Sequence, residues 1–155
     1  EMQRSLVGSE MCIETGIECE DTGCYSTESC DYPVYAKKVA HAVADGECER
    51  GILICGTGIG ISITANKVPG IRAALCGDCF SAQATREHND ANILAMGARV
   101  TGPGLALKIV DTFLDTPFSN DERHIRRIKM IEGKEKYYKL HMPANVSAGL
   151  GRQAS

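Results

Sequence analysis

Gly51-Ile52-Leu53-Ile54-Cys55-Gly56-Thr57-Gly58-Ile59-Gly60 is the stretch that decides the fold. Its first five residues form a continuous apolar run with two Ile, the pattern of a strand buried on both faces. Three glycines at alternate positions then break the run, and Ile61 to Lys67 reads as a helix.

Working outward, the same order repeats. Ile71 to Cys76 and Ile93-Leu94-Ala95-Met96 read as two more buried strands, with Ser81 to His88 helical between them and Asn89 and Asp90 as the break. Gly102-Pro103 opens an amphipathic helix whose stripe is Leu105, Ala106, Ile109, Val110, Phe113 and Leu114. A last helix runs from about Asp121 to beyond Glu132, with Ile125 and Ile128 turned inward. Upstream, Pro33 suits the first turn of a helix carrying Tyr35, Val39, Ala42 and Val43, closing near Gly46. Gly16-Ile17-Glu18-Cys19 reads as a short strand entering a polar loop, Asp21 to Asp31. Alternating strands and helices imply parallel pairing through right-handed crossovers. The expectation is an α/β fold, a doubly wound, Rossmann-like parallel sheet with helices on both faces.

The chain has 155 residues, 43% hydrophobic and 24% charged, which fits one globular domain with a real core. No apolar run approaches the roughly 20 residues of a membrane helix, and no secretory pattern opens the chain. A net charge of -3 argues against nucleic acid as the main partner. A cytoplasmic location, with no membrane partner, is the expectation. Residues 16–132 carry the domain. Segment 1–15 offers no convincing element, and 133–155 reads as a helix end followed by a disordered tail rich in Gly, Ala, Ser and Asn.

The Cys residues at 12, 19, 24, 30, 48, 55, 76 and 79 are expected to be mostly buried free thiols. Cys76 and Cys79 have C-x-x-C spacing, but no second pair or Cys/His doublet completes a four-ligand zinc site, so the pair reads as structural and no metal is expected.

In an open parallel sheet, ligands sit beyond the carboxyl ends of the strands. Glycines at 56, 58 and 60 let main chain approach a ligand, and successive amides at a helix start favour an anion. The spacing is one residue short of a dinucleotide fingerprint and lacks a Walker Gly-Lys-Ser/Thr. Cys55 at the strand end faces those amides, where a thiolate is favoured. Alone, it reads as well as a buried strand-end Cys. His88 and Asn89 cap and pack a helix end, or His88 moves protons. Arg99 follows the third strand on the ligand side. Arg123 and Arg127, four apart, share one helix face, as a phosphate site or as a solvated face.

Taken together these stretches resemble type B ribose-5-phosphate isomerase. The resemblance rests on Asp31-Tyr32-Pro33, Ile54 to Ile63 with Ala65-Asn66-Lys67, Gly70-Ile71-Arg72-Ala73, Arg86 to Asn92, Gly97-Ala98-Arg99-Val100, and Arg123-His124 with Arg127, in family order over about residues 16–132. It implies interconversion of ribose 5-phosphate and ribulose 5-phosphate through an enediolate. Cys55 would be the base. Amides of Gly56, Thr57, Gly58, Ile59 and Gly60 would hold the oxyanion, with the Thr57 hydroxyl assisting. His88 would open the sugar ring and Asn89 would touch substrate. Arg99, Arg123 and Arg127 would bind substrate oxygens and phosphate. It implies a homodimer with sites at the interface, a phosphosugar ligand and no cofactor. Another phosphosugar isomerase (allose or galactose 6-phosphate) and a non-catalytic phosphosugar-binding module are the other readings. The family's first strand ends in Asp-His, a pair absent from this sequence. Residues 1–15 accordingly read as foreign sequence standing where that strand belongs.

Overall fold

The computed structural model describes residues 17–25 and 28–133. The expectations for 1–15 and for the tail after 133 lie outside the described residues. The elements are α1 (Tyr32–Ala44), β1 (Gly51–Cys55), α2 (Ile59–Ala65), β2 (Ala73–Leu75), α3 (Cys79–Asn89), β3 (Ile93–Gly97), α4 (Pro103–Asp115) and α5 (Glu122–Glu132).

The three strands form a parallel sheet in the order β1-β3-β2, with Gly51 opposite Ile93, Cys55 opposite Gly97 and Ala73 opposite Ile93. Every residue of the central strand is buried, as expected for a strand covered on both faces. The two-residue alternation of a strand divides its side chains between two layers. Ile93 and Ala95 join Leu53, Ile61, Ala65 and the α1 residues Ala36, Ala40 and Val43. Leu94 and Met96 join Ala82 of α3 and Ala106, Ile109, Val110 and Phe113 of α4. Helices cover both faces of the sheet, as the alternation of elements implied.

Local signals explain the element ends. Pro33 sits in the first turn of α1, and Gly46 closes it with a left-handed φ of 79°. In α3 the Asp78 carboxylate accepts the Ser81 amide at 2.7 Å, which holds its pKa below the usual carboxylate value. Arg86 of α3 is buried, yet it is not an isolated charge. It meets Asp90 Oδ1 at 2.7 Å, donates to the Ala91 carbonyl at 2.6 Å and lies over the Phe113 ring. That fastens α3 to α4.

Four expectations need correction. β2 is not a buried strand: Ala73 and Ala74 are half-buried and Leu75 is exposed, because β2 lies at the edge of the sheet. Residues 17–19 form no strand; Ile17, followed by Glu18 and Glu20, offers too little apolar surface to dock on a sheet. Cys24 and Cys30 are joined in a disulfide, so the free-thiol reading fails for both. Of the remaining described cysteines only Cys76 is fully buried, and Cys19 is exposed. In α5 the fully buried residue is His124, while Ile125 and Ile128 are half-buried. Among the described residues no helix is long and apolar enough to cross a membrane.

Candidate active site

Cys55 ends β1 at the carboxyl edge of the sheet, partly buried. The chain turns there because Gly58 adopts a left-handed φ of 78°, and the Gly58 amide points back to donate to Cys55 Sγ at 3.2 Å. A side chain at 58 would be strained by that φ, and its Cβ would fall 2.7 Å from the Met96 carbonyl carbon. Thr57 is exposed, its hydroxyl accepting the Ile59 amide at 3.4 Å. The ladder between β1 and β3 continues past the strand ends. Ala98 and Arg99 amides donate to the carbonyls of Cys55 and Gly56 at 2.8 and 3.0 Å. This brings the Arg99 side chain within 3.7 Å of where a Gly56 Cβ would stand. Tyr32, at the start of α1, lays its phenol against Gly60. A thiol, a loop of main-chain amides and a guanidinium therefore share one mouth.

The other predicted residues gather elsewhere. His88 and Asn89 end α3 just upstream of β3, and Asn92 closes onto the strand beginnings: its carbonyl accepts the Gly51 amide at 3.0 Å. His124 of α5 stacks on His88 with ring centroids 4.4 Å apart, which sets Arg123 and Arg127 at the same edge. Arg123 is exposed, reaching Asp121 at 3.6 Å, and Arg127 is exposed too. Cys55 lies at one end of a five-residue strand and this second group beyond the other end. Four strand steps of about 3.3 Å place them roughly 13 Å apart before the helix end is added. Within one chain the predicted site is two half-sites: Cys55, Gly56, Thr57, Gly58, Ile59, Gly60 and Arg99 at the carboxyl edge, and His88, Asn89, Arg123 and Arg127 at the amino edge.

His124 went unassigned in the sequence. It is 3% exposed, and its Nδ1 lies 2.7 Å from Ser119 Oγ. Burial first, then the neighbouring His88, Arg123 and Arg127, holds its pKa below the ordinary imidazole value, against the opposing pull of Asp121. The signal available was its place between Arg123 and Arg127, which periodicity gave to the surface. Arg72 was also unassigned, though it links both elements of the amino-edge half-site. Cys76 is an inert thiol: burial, then Asp78, pushes its pKa up to about 11.

A family described as Ribose/Galactose Isomerase matches residues 3–131. The chain belongs to that family. The match begins inside segment 1–15, which lies outside the described residues. The putative sugar phosphate isomerase YwlF of Bacillus subtilis (strain 168) is 56% identical over 128 residues, covering 82% of this chain and 86% of that protein. Ribose-5-phosphate isomerase B of Escherichia coli (strain K12) is 52% identical over 124 residues, 80% of this chain and 83% of that one. The solved structure of Clostridium thermocellum ribose-5-phosphate isomerase B superposes with a TM-score of 0.79 at 55% identity, covering 84% of this chain and 87% of that one. The chain is thus an isomerase of the Rossmann-like α/β type, and both half-sites lie within the matched residues.

Proposed function

We propose that this isomerase interconverts ribose 5-phosphate and ribulose 5-phosphate, with Cys55 as the base. The observation that carries the reading is the Gly58 amide donating to Cys55 Sγ at the mouth shared with Arg99. That amide fixes the sulfur toward the loop of main-chain donors, where a base would meet the substrate. The thiolate removes the C2 proton of the open-chain aldose and returns it to C1. Between those steps the enediolate oxygen gains charge, and preorganised main-chain donors of the 56–60 loop hold it, each donor worth about 3–4 kcal/mol when removed. His88 opens the furanose ring as an acid, Asn89 contacts substrate, and Arg99, Arg123 and Arg127 take up substrate oxygens and phosphate. The names of the relatives support the substrate.

Because the half-sites lie at opposite edges of one sheet, the reaction needs the carboxyl edge of one protomer against the amino edge of a second. A homodimer with twofold symmetry joins such patches reciprocally and makes two complete sites. The apolar residues exposed near the thiol mouth, Ile59, Leu75, Phe80 and Val100, are in keeping with a covered edge.

The test is a coupled assay with ribose 5-phosphate, run beside allose and galactose 6-phosphates. Cys55→Ala is expected to lower kcat roughly 10²- to 10⁴-fold, the usual worth of a positioned base, while binding of the sugar phosphate persists. Turnover retained by that variant rejects the thiolate mechanism. A preference for a hexose phosphate moves the assignment to another sugar with the same chemistry.

A further inference from the structure

The amino-edge half-site stands on two separate helices. His88 and Asn89 close α3, Arg123 and Arg127 rise from α5, and for all four to meet one ligand the helices must keep a fixed offset. Near the start of α5 that offset is set by the His88 and His124 rings and by the Ser119 amide donating to the Glu87 carbonyl at 3.2 Å. At the far end of α5 Arg72 makes the one side-chain polar link to the rest of the chain among the described residues.

Arg72 stands just before β2, its own amide held by Asn92 Oδ1 at 2.9 Å. Its guanidinium divides between two targets. Nε donates to the carbonyls of Asn89 and Asp90 at 2.9 and 3.2 Å, and Nη2 to the Asp90 carbonyl and carboxylate at 2.9 and 3.3 Å. Nη1 is ion-paired with Glu132, the last residue of α5. The Arg72 side chain is only 17% exposed, and a planar fork of five donors is the one side chain able to meet both partners at fixed angles. Asp90 is committed as well: it adopts a left-handed φ of 44° and also pairs with the buried Arg86. Pulling on Arg72 therefore pulls directly on the residue that follows Asn89.

We propose that Arg72 is a positioning residue for the phosphosugar-binding half-site, locking the end of α3 to the end of α5 through Asn89, Asp90 and Glu132 without touching substrate. The effect falls on binding rather than on the proton transfer, because Cys55, including that of a second protomer completing the site, takes its position from β1 and the Gly58 amide and not from α3 or α5. The inference rests on the assignment of His88, Asn89, Arg123 and Arg127 to substrate, and the test separates the two.

Arg72→Gln, Arg72→Lys, Glu132→Gln and the Arg72→Gln/Glu132→Gln double variant are compared with the unmodified protein. The readouts are KM and kcat for ribose 5-phosphate, Kd for inorganic phosphate, the alkylation rate of Cys55 by iodoacetamide and thermal unfolding. Misplacing binding groups by about 1 Å costs up to a hundredfold. Arg72→Gln and Glu132→Gln should each raise KM and the phosphate Kd roughly tenfold, with a smaller change in kcat and no change in Cys55 alkylation. The double variant should be no worse than Arg72→Gln alone, since both break one link, and Arg72→Lys should restore only part of the loss. Unchanged KM and phosphate Kd in Glu132→Gln, an exposed site that keeps the fold, overturn the proposal. Losses that multiply in the double variant overturn it, as does a Cys55 alkylation rate that changes in step with KM. If the unmodified protein isomerises no phosphosugar but Arg72→Gln still weakens phosphate binding, the catalytic reading fails and the positioning role stands.

Discussion

His124 packs against His88 with Ser119 on its Nδ1, and its lowered pKa makes the amino edge acid-sensitive. In the unfolded chain an ordinary histidine binds a proton near pH 6.5. In the folded site burial and the cationic neighbours lower that value. Between the two pKa values the unfolded state holds more protons, so stability falls as pH drops below about 6.5 and is level above it. Denaturant unfolding at pH 7.5 and at 5.5 measures the slope. His124→Gln, which keeps an acceptor for Ser119, should flatten it, and an equal acid loss in both proteins refutes the assignment. Sequence reading could not reach this residue. An imidazole between two arginines reads as surface, and only the docking of α5 on α3 turns it inward.

At the scale of elements, the glycine loop is shaped by its neighbour as much as by its own residues. A Cβ on Gly97, the end of β3, would lie 2.7 Å from the Thr57 carbonyl carbon and oxygen and 2.9 Å from its Cα. Those are main-chain atoms, and they can yield only by moving the loop. Gly97→Ala is expected to cost about 1–3 kcal/mol in denaturant unfolding, the usual penalty of overpacking, and to lower kcat with it. Gly77→Ala, where a Cβ meets nothing within 4 Å, is the control and should change neither. Unaltered turnover in Gly97→Ala means that the loop geometry is not held from β3. The strands and the helices between them were legible because continuous apolar runs and a 3.6-residue stripe record burial, although β2, at the edge of the sheet, is half-buried to exposed rather than buried. The α1 face was read in part: Val43 is core and Val39 packs against it, but Tyr35 and Ala42 are only half-buried, while Ala36 and Ala40 take the core, since small side chains permit close packing on the sheet that hydrophobicity alone does not register. The segment at 17–19 failed for the opposite reason, an apolar residue with no layer to join. In the candidate site the residue types and the loop were legible. The division into two half-sites was implied only through the resemblance, as sites at a dimer interface; which residue falls on which edge comes from strand direction, which puts Cys55 at the end of β1 and His88 just before β3.

For the whole molecule, that division becomes a quantitative expectation. If one protomer supplies Cys55 and its partner supplies His88, Arg123 and Arg127, two defective proteins can repair each other. Cys55→Ala lacks the thiol half in both sites of its dimer, and Arg127→Ala lacks part of the amino-edge half in both. Each alone should be nearly inactive. After mild denaturation and refolding of an equal mixture, random pairing makes about half of the dimers mixed, and each mixed dimer has one site with both halves intact and one with neither. Turnover should rise to about a quarter of that of the unmodified protein, and dilution below the dimer dissociation constant should abolish it. Arg99→Ala mixed with Cys55→Ala is the internal control: both changes fall on the same half-site, so mixed dimers contain no intact site and no recovery is expected. Recovery with both pairs, or with neither while the mixture forms dimers, means that the catalytic groups are not shared across a twofold interface, and the single-chain geometry would then have to bring residues at opposite sheet edges together by some other assembly.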